Sequence, residues 1–212
     1  MLKIDSFVFN DFEINTFILS NELKECIIID PGCYYEREKD ELITFILDHK
    51  LKPVLLINTH GHIDHVIGNQ FIKDTYKIYS QAHKDDDMIL DSVKEQALMF
   101  GFKLDAVPKT DQYIEEGEDI IFGNHKLSVF HVPGHSPGSI VLYNKEFKFL
   151  IAGDVLFRGS IGRTDLPGGN HQQLIRNIHE KLLVLDDDIE VYCGHGPTTT
   201  IGNEKNTNPF LI

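Results

Sequence analysis

The sequence predicts a single α/β domain, and three observations predict it. Short apolar strands alternate with amphipathic helices along the whole chain, which excludes all-α and all-β architectures. The 212 residues are 42% hydrophobic and 25% charged, the composition of an ordinary globular domain. No stretch is rich enough in Pro, Gly or Ser to act as an interdomain linker, and no self-similar period is visible, so residues 1–212 read as one unit. Area scaling has a chain of this size burying roughly 72% of its unfolded surface, enough for a core without disulfide staples.

The elements follow in order. Residues 14–19 and 26–30 are apolar strands, the second closed by Pro31-Gly32. Residues 35–49 carry Leu42, Ile43, Phe45, Ile46 and Leu47 on a broad apolar face, the pattern of a helix. Residues 54–58 hold no charge and read as a buried strand that runs straight into His60-Gly61-His62-Ile63-Asp64-His65. Residues 63–72 and 85–100 read as helices. Residues 119–122 and 126–131 flank Gly123-Asn124, turn chemistry suited to a two-residue hairpin. Residues 140–143 and 147–152 make a second hairpin around Asn144-Lys145. Residues 171–185 are an amphipathic helix with Leu174, Ile175, Ile178, Leu182 and Leu183 on one side. A last short strand, 190–193, precedes Gly194-His195-Gly196-Pro197.

Charge narrows the function. The net charge is −13, from 33 acidic and 20 basic side chains, and such a surface repels phosphate backbones. No apolar run approaches the ~20 residues that span a bilayer. Residues 1–17 have charges every few positions and no continuous apolar core of a signal peptide. The expectation is therefore a cytoplasmic protein with no nucleic-acid or membrane partner. The three cysteines, Cys26, Cys33 and Cys193, are a sparse, odd set and read as free thiols. Asp85-Asp86-Asp87 and Asp186-Asp187-Asp188 lack the alternating pattern of a calcium loop and read as solvated surface.

The chemistry lies in the histidines. Of eleven, His60, His62 and His65 fall together with Asp64 between them, after a buried strand and before a helix. Imidazole and carboxylate suit zinc, and iron or manganese also accept the set. These residues cannot all reach one tetrahedral ion and leave it open to water, so two adjacent ions with further ligands elsewhere are expected. His135 follows a strand within Pro133-Gly134-His135-Ser136-Pro137-Gly138. Asp154 follows a strand directly after Gly153, and His195 follows another between Gly194 and Gly196. Each has the same context: apolar strand, small residue, ligand-type side chain. Glycine there lets backbones approach closely and turn sharply.

Thr59-His60-Gly61-His62-Ile63-Asp64-His65, then His135, Asp154 and His195, resembles the metallo-β-lactamase-fold hydrolases over about residues 7–205. The resemblance implies a four-layer αββα sandwich with the metals at one edge between the sheets. It implies one ion held by His60, His62 and His135, a second held by Asp64, His65 and His195, and Asp154 bridging them together with a water or hydroxide.

Departures separate the branches. Zinc β-lactamases with a cysteine ligand have it where Asp154 stands. The di-iron oxygen-reducing branch has Glu where this chain has His62. RNA-processing branches carry longer insertions. The segment Gly153 to Gly169, with Gly162-Arg163-Thr164-Asp165-Leu166-Pro167, is similar to the compact bacterial glyoxalase II type. So is the ending from Gly194 to Phe210. That likeness implies that Arg163 meets the glutathione moiety of the substrate; pairing with Asp165 is the alternative. Only residues 196–212 follow His195, so the helical domain with which larger glyoxalase II enzymes bind glutathione is expected to be absent.

The expected reaction is hydrolysis of a thioester such as S-lactoylglutathione. Metal binding lowers the pKa of water from 15.7 to about 7, and the resulting hydroxide attacks the carbonyl. A metal stabilises the oxyanion. A thiol of pKa near 8.5 leaves without a strong acid. Asp64 is expected to orient the hydroxide as well as to bind metal. A second reaction class stays open. Persulfide dioxygenases also look like this chain through Gly162-Arg163-Thr164-Asp165, and would place one iron on His60, His135 and Asp154. Among the other histidines, His131 is a plain strand end or a hydrogen-bond donor to the site, and His171 lines a pocket or starts a helix. His49, His83, His125 and His179 read as surface or helix residues. Cys193 reads as a small buried strand residue, with a thiol near the metals as the alternative.

Overall fold

A computed structural model of the chain describes residues 1–104 and 106–212. Strands β1 (Lys3–Phe9), β2 (Ile14–Ser20) and β3 (Glu25–Ile29) form an antiparallel meander, with Phe17 opposite Ile29 and Leu19 opposite Ile27. Helix α1 (Glu36–Asp48) returns the chain to β4 (Lys52–Ile57), parallel to β3. Buried Glu38 pins the start of α1 by accepting N–H groups from Asn10, Tyr34 and Tyr35. Leu42 and Ile46, one helical turn apart, are its buried face.

After β4 come α2 (Ile63–Val66), α3 (Asn69–Tyr76), β5 (Ser80–Ala82), a tight turn over Lys84–Asp86, α4 (Asp87–Met99) and β6 (Gln112–Tyr113). The first sheet runs β1-β2-β3-β4-β5-β6. The rest of the chain builds β7 (Asp119–Phe122), β8 (His125–His131), β9 (Ile140–Asn144) and β10 (Phe149–Gly153). A small hairpin of β11 (Leu156–Phe157) and β12 (Ser160–Ile161) follows, then α5 (His171–Asn177), β13 (Glu190–Cys193), β14 (Thr199–Thr200) and α6 (Ile201–Thr207). The second sheet runs β14-β13-β10-β9-β8-β7.

Three cores explain the layering. Phe17, Ile29 and Ile57 of the first sheet pack on Leu127, Leu142 and Ile151 of the second, which puts the sheets face to face. The outer face of the first sheet packs Ile18 and Ile28 on Leu42, Ile46 and Ile72 of α1 and α3. The outer face of the second packs Val141, Leu150 and Val191 on Leu174 of α5, with Ile178 and Leu182. A strand buried on both faces carries no charge, and β2, uncharged throughout, is buried at every residue. The architecture is the αββα sandwich.

Three expectations are adjusted, and one unexpected strand is added. The helix expected over 63–72 is two helices, broken where Gly68 N–H donates to Pro31 O at 2.8 Å. The helix expected over 171–185 is regular only to Asn177 and then widens over Ile178–Leu182. Lys3–Phe9, where charges interrupt any apolar run and no strand is expected, is an edge strand with Lys3, Ser6 and Val8 exposed. The second strand of the 140–152 hairpin begins at Phe149 rather than 147.

The two sheets are stitched at one end. Asn15 N–H donates to Gly194 O at 2.7 Å, and its side chain donates to Cys193 O and Gly196 O at 2.9 and 2.8 Å. Ile140 N–H donates to Thr59 O at 2.9 Å. The histidine loops leave the strands at this edge. Cys26, Cys33 and Cys193 are free and buried, and burial pushes each thiol up to about 12. Among the described residues no helix is long and apolar enough to cross a membrane.

Candidate metal centre

The loop from β4 into α2 delivers the first histidines because Thr59 is anchored beneath it. Thr59 donates its N–H to Asp30 Oδ1 at 2.7 Å and its hydroxyl to Asp30 Oδ2 at 2.6 Å. Asp30 is fully buried at the end of β3 with φ +48°, a backbone position that costs a non-glycine residue about 1 kcal/mol or more. The close approach of β10 to this loop needs Gly153, at φ +50°, where a Cβ would lie 2.3 Å from Thr59 Oγ1. Gly194 is constrained in the same way: a Cβ there would lie 2.2 Å from Asp154 Oδ1.

The structure brings His60, His62, Asp64, His65, His135, Asp154 and His195 to one place. They fall into two groups. In the first, His62 Nδ1 lies 2.9 Å from His135 Nε2, which lies 3.2 Å from His60 Nε2. In the second, Asp64 Oδ2 lies 3.1 Å from His195 Nε2 and 3.6 Å from His65 Nε2. Asp154 stands between them. Its Oδ1 is 3.3 Å from His65 Nε2, and its Oδ2 is 3.6 Å from His135 Nε2 and 3.7 Å from His195 Nε2.

Four of the imidazoles are oriented from behind. His135 Nδ1–H donates to Arg163 O at 2.8 Å and His195 Nδ1–H to Phe12 O at 2.9 Å. His65 Nδ1–H donates to Asp30 Oδ2 at 2.9 Å, and His60 Nδ1 contacts Thr59 Oγ1 at 3.2 Å. With the proton on Nδ1, each Nε2 presents a lone pair to the centre, the usual arrangement of metal-ligating histidines. The bare nitrogens of His60 and His135 thus face each other in a buried site. His65 Nε2 and Asp154 Oδ1 are buried without any hydrogen-bond partner. Unpaired buried polar atoms are costly. A divalent cation in each group would satisfy them, and the imidazole–carboxylate set suits zinc, iron or manganese.

The electrostatics differ between the groups. Burial, reinforced by neighbouring histidines, holds His60 well below the usual imidazole range and His62 down to about 3. Burial opposes charge on His65 too, but Asp64, Asp154 and Asp30 outweigh it and raise the group well above its ordinary value. His195 is also raised: burial is overcome by the hydrogen bond to Asp64 and by Asp154. Burial works against both carboxylates, yet His65 and its neighbours hold Asp64 and Asp154 low.

Two carboxylates behind the site carry no signal of their role in the sequence. Asp30 was legible only as the end of an uncharged strand before Pro31-Gly32. Asp86 corrects the solvated reading of its acidic run: it is 1% exposed. It accepts Gly61 N–H at 2.7 Å, Ser136 Oγ–H at 2.8 Å and Gly138 N–H at 2.6 Å. It therefore clamps the His60–His62 loop to the His135 loop. Burial raises its carboxyl against these hydrogen bonds. The other acidic run, Asp186 to Asp188, is exposed as expected.

Arg163 lines the cavity over the centre, and its guanidinium is held by Asp165 through Nε–Oδ1 at 2.8 Å and Nη2–Oδ2 at 2.7 Å. That pair holds the Asp165 carboxyl down to about 2. His171 starts α5 and is exposed. His83 and His125, read as surface or helix residues, are buried instead. His83 stacks on His131 at 3.9 Å and 13°. Parallel rings do not converge their lone pairs, and His131 Nε2 already donates to Pro137 O at 2.8 Å.

Loops from the ends of strands in two facing sheets, carrying histidines and aspartates to one edge, define a metal-dependent hydrolase fold. The Metallo-beta-lactamase superfamily matches residues 10–195, and the chain belongs to that superfamily. It is 40% identical over 202 residues to the hydroxyacylglutathione hydrolase GloC of Haemophilus influenzae, covering 94% of this chain and 93% of that one. Two solved structures superpose closely. BLEG-1 B3 metallo-beta-lactamase has a TM-score of 0.90 and 36% identity, with 99% of each chain covered. TTHA1623 in a di-iron-bound form has a TM-score of 0.88 and 31% identity, covering 98% of this chain and 100% of that one.

Proposed function

We propose that the protein is a two-metal thioester hydrolase of glyoxalase II type, with S-lactoylglutathione as the reference substrate. The observation that carries this reading is the pairing of two donor groups through Asp154 beneath an open cavity. The likeness to GloC supports the substrate class. His60, His62 and His135 would hold one ion, and Asp64, His65 and His195 the other, with Asp154 shared. Zinc is the first choice. Iron is the nearest alternative, in keeping with the di-iron relative, and manganese fits the same donors. Bound there, the ions supply Lewis acidity and water acidified from 15.7 to about 7.

The chain's own residues do the rest. Asp64 lines the cavity as well as facing His195, so its carboxylate can accept a hydrogen bond from the attacking water and orient it toward the carbonyl. Asp30 and the Phe12 and Arg163 carbonyls keep the imidazoles aimed while charge develops. No strong general acid is needed, because a thiolate with pKa near 8.5 leaves unaided. The free buried thiols suit a reducing, cytoplasmic setting.

The test runs two assays in parallel on metal-loaded protein. Thiol release from S-lactoylglutathione at kcat/KM of ~10⁴ M⁻¹s⁻¹ or more, with two ions per chain, is expected. Oxygen uptake with glutathione persulfide at one iron per chain, without thiol release, would replace the hydrolase by a persulfide dioxygenase.

A further inference from the structure

The cavity over the metal centre encloses about 670 Å³, within the range of small-molecule sites. One wall is a face of α4. Met88, Ser92, Gln96 and Met99 recur along it at helical spacing, and Phe100 follows. The polar members are already engaged: Gln96 donates to Ser92 Oγ at 2.8 Å, and Ser92 donates to Ile89 O at 2.9 Å. The large apolar members are not covered. Met88, Met99 and Phe100 are 59%, 83% and 57% exposed. Phe12 stands edge-on to Phe100 at 5.1 Å and extends the same surface. The lining also includes the apolar Phe157, Ile161, Leu166 and Pro167.

Charge is scarce on these walls. Arg163 is the one Lys or Arg among the described lining residues, and one edge of its fork, Nε and Nη2, is held by the Asp165 carboxylate, which balances its charge. Glutathione carries two carboxylates, and against them the described lining offers a single side-chain cation whose charge Asp165 already balances. The chain's net charge of −13 adds no attraction for an anionic thiol carrier. Contiguous exposed apolar surface beside a reactive centre marks a binding surface for an apolar group.

We infer that the substrate of this centre carries an uncharged, extended apolar arm that lies against the Met88–Met99–Phe100 face of α4, so that apolar acyl thioesters are preferred over hydrophilic ones such as the lactoyl ester. This rests on the thioester reading above and names its substrate class. The wall supplies apolar contact to the arm, and the chemistry at the carbonyl is unchanged. A pocket distinguishes substrates by roughly tenfold or more per methylene-sized group it accepts.

The first experiment measures binding without turnover. The uncleavable S-octyl thioether of N-acetylcysteamine is titrated into metal-loaded protein by calorimetry. Binding with a negative heat-capacity change is expected. The exposed-site double variant Met88→Ser/Met99→Ser should weaken it at least about tenfold. Ile121→Ser, on an exposed strand residue away from the cavity, should leave it within about twofold. The second experiment compares four thioesters: lactoyl and octanoyl, each on glutathione and on N-acetylcysteamine. The octanoyl esters should show kcat/KM at least about tenfold higher on either thiol, and the double variant should shrink that ratio toward one. Equal thioether binding by parent and double variant overturns the inference, as does a tenfold preference for lactoylglutathione over both octanoyl esters. Cleavage of none of the four, with the thioether still bound at α4, keeps the apolar site and removes the thioester reaction instead.

Discussion

The two donor groups sit side by side and share Asp154, yet they are built differently. The first, His60, His62 and His135, is made only of imidazoles, all nearly inaccessible, and burial and mutual repulsion hold His60 and His62 neutral. The second mixes Asp64 with His65 and His195, and its histidines lean toward the charged form because carboxylates surround them. His195 also keeps 27% of its side chain exposed, while His65 is fully enclosed. Histidines of the two groups therefore carry different proton loads. His60 and His62 are ready for a cation at neutral pH. The second group must lose protons to accept one.

Removing what the groups share should have the largest effect. Asp154→Ala is expected to lower kcat/KM by about 10³ or more, given that metal-ion catalysis is worth several kcal/mol. Metal content should fall below two per chain by elemental analysis. A variant that kept both ions would show that the groups are independent.

Asp64→Asn probes the second group at the substrate. Loss of about 10²–10⁴ in kcat with the ion count retained is expected if Asp64 orients the attacking water. Full activity with full metal content would remove that role. Asp30→Asn then tests orientation from behind. It should weaken metal affinity about 10–100-fold, and more at the second group, where Asp30 holds His65 directly, than at the first, which it reaches only through Thr59. Equal losses in a stepwise metal titration would contradict the difference.

The pH dependence sharpens the comparison further. In the metal-free protein, His62 should titrate near 3 by NMR and His65 and His195 above 6.5. The signs follow by linkage. Between 6.5 and about 3 the unfolded chain binds a proton at His62 that the folded chain refuses, so stability falls with falling pH, by about 1.4 kcal/mol per pH unit for such a group. The contribution of His65 and His195 is full below 6.5 and is lost as pH rises through their raised values. Metal affinity between pH 8 and 6 should accordingly drop more steeply at the second group, by up to about tenfold per pH unit for each histidine that releases a proton. The smallest effect is expected at the rim. Arg163→Ala breaks an exposed pair and should move Tm by less than about 2 °C.

Much of this was legible in the sequence. The strands that are buried on both faces, such as β2 and the end of β4, announce themselves as uncharged runs, and the residues just past β4 are ones that reach the centre. Repetition of the context of apolar strand, glycine and ligand found His135, Asp154 and His195 without any spacing motif. Edge elements were harder. β1 begins with charges at Lys3 and Asp5 that break its apolar run, and β5, β6 and β14 are too short for a period to show. Asp86 was hidden by its neighbours. Asp85 beside it is exposed, and only the three-dimensional arrival of Gly61, Ser136 and Gly138 distinguishes the two. The Arg163–Asp165 pair was one of two readings open from the sequence, and Arg163 turns out both to be paired and to line the cavity.

The stitch between Asn15 and the Gly194–Gly196 loop has a kinetic consequence. It joins residues from opposite ends of the chain, 181 positions apart for the Asn15–Gly196 bond. Contacts of such separation form late, because loop-closure entropy must be overcome before they contribute. During synthesis the ribosome releases His60, His62 and His65 long before His195 exists. The emerging chain therefore carries an incomplete cluster of imidazoles through most of its translation. The expected consequence is that the Gly194–Gly196 loop, which carries His195, is the last part of the centre to be fixed in place.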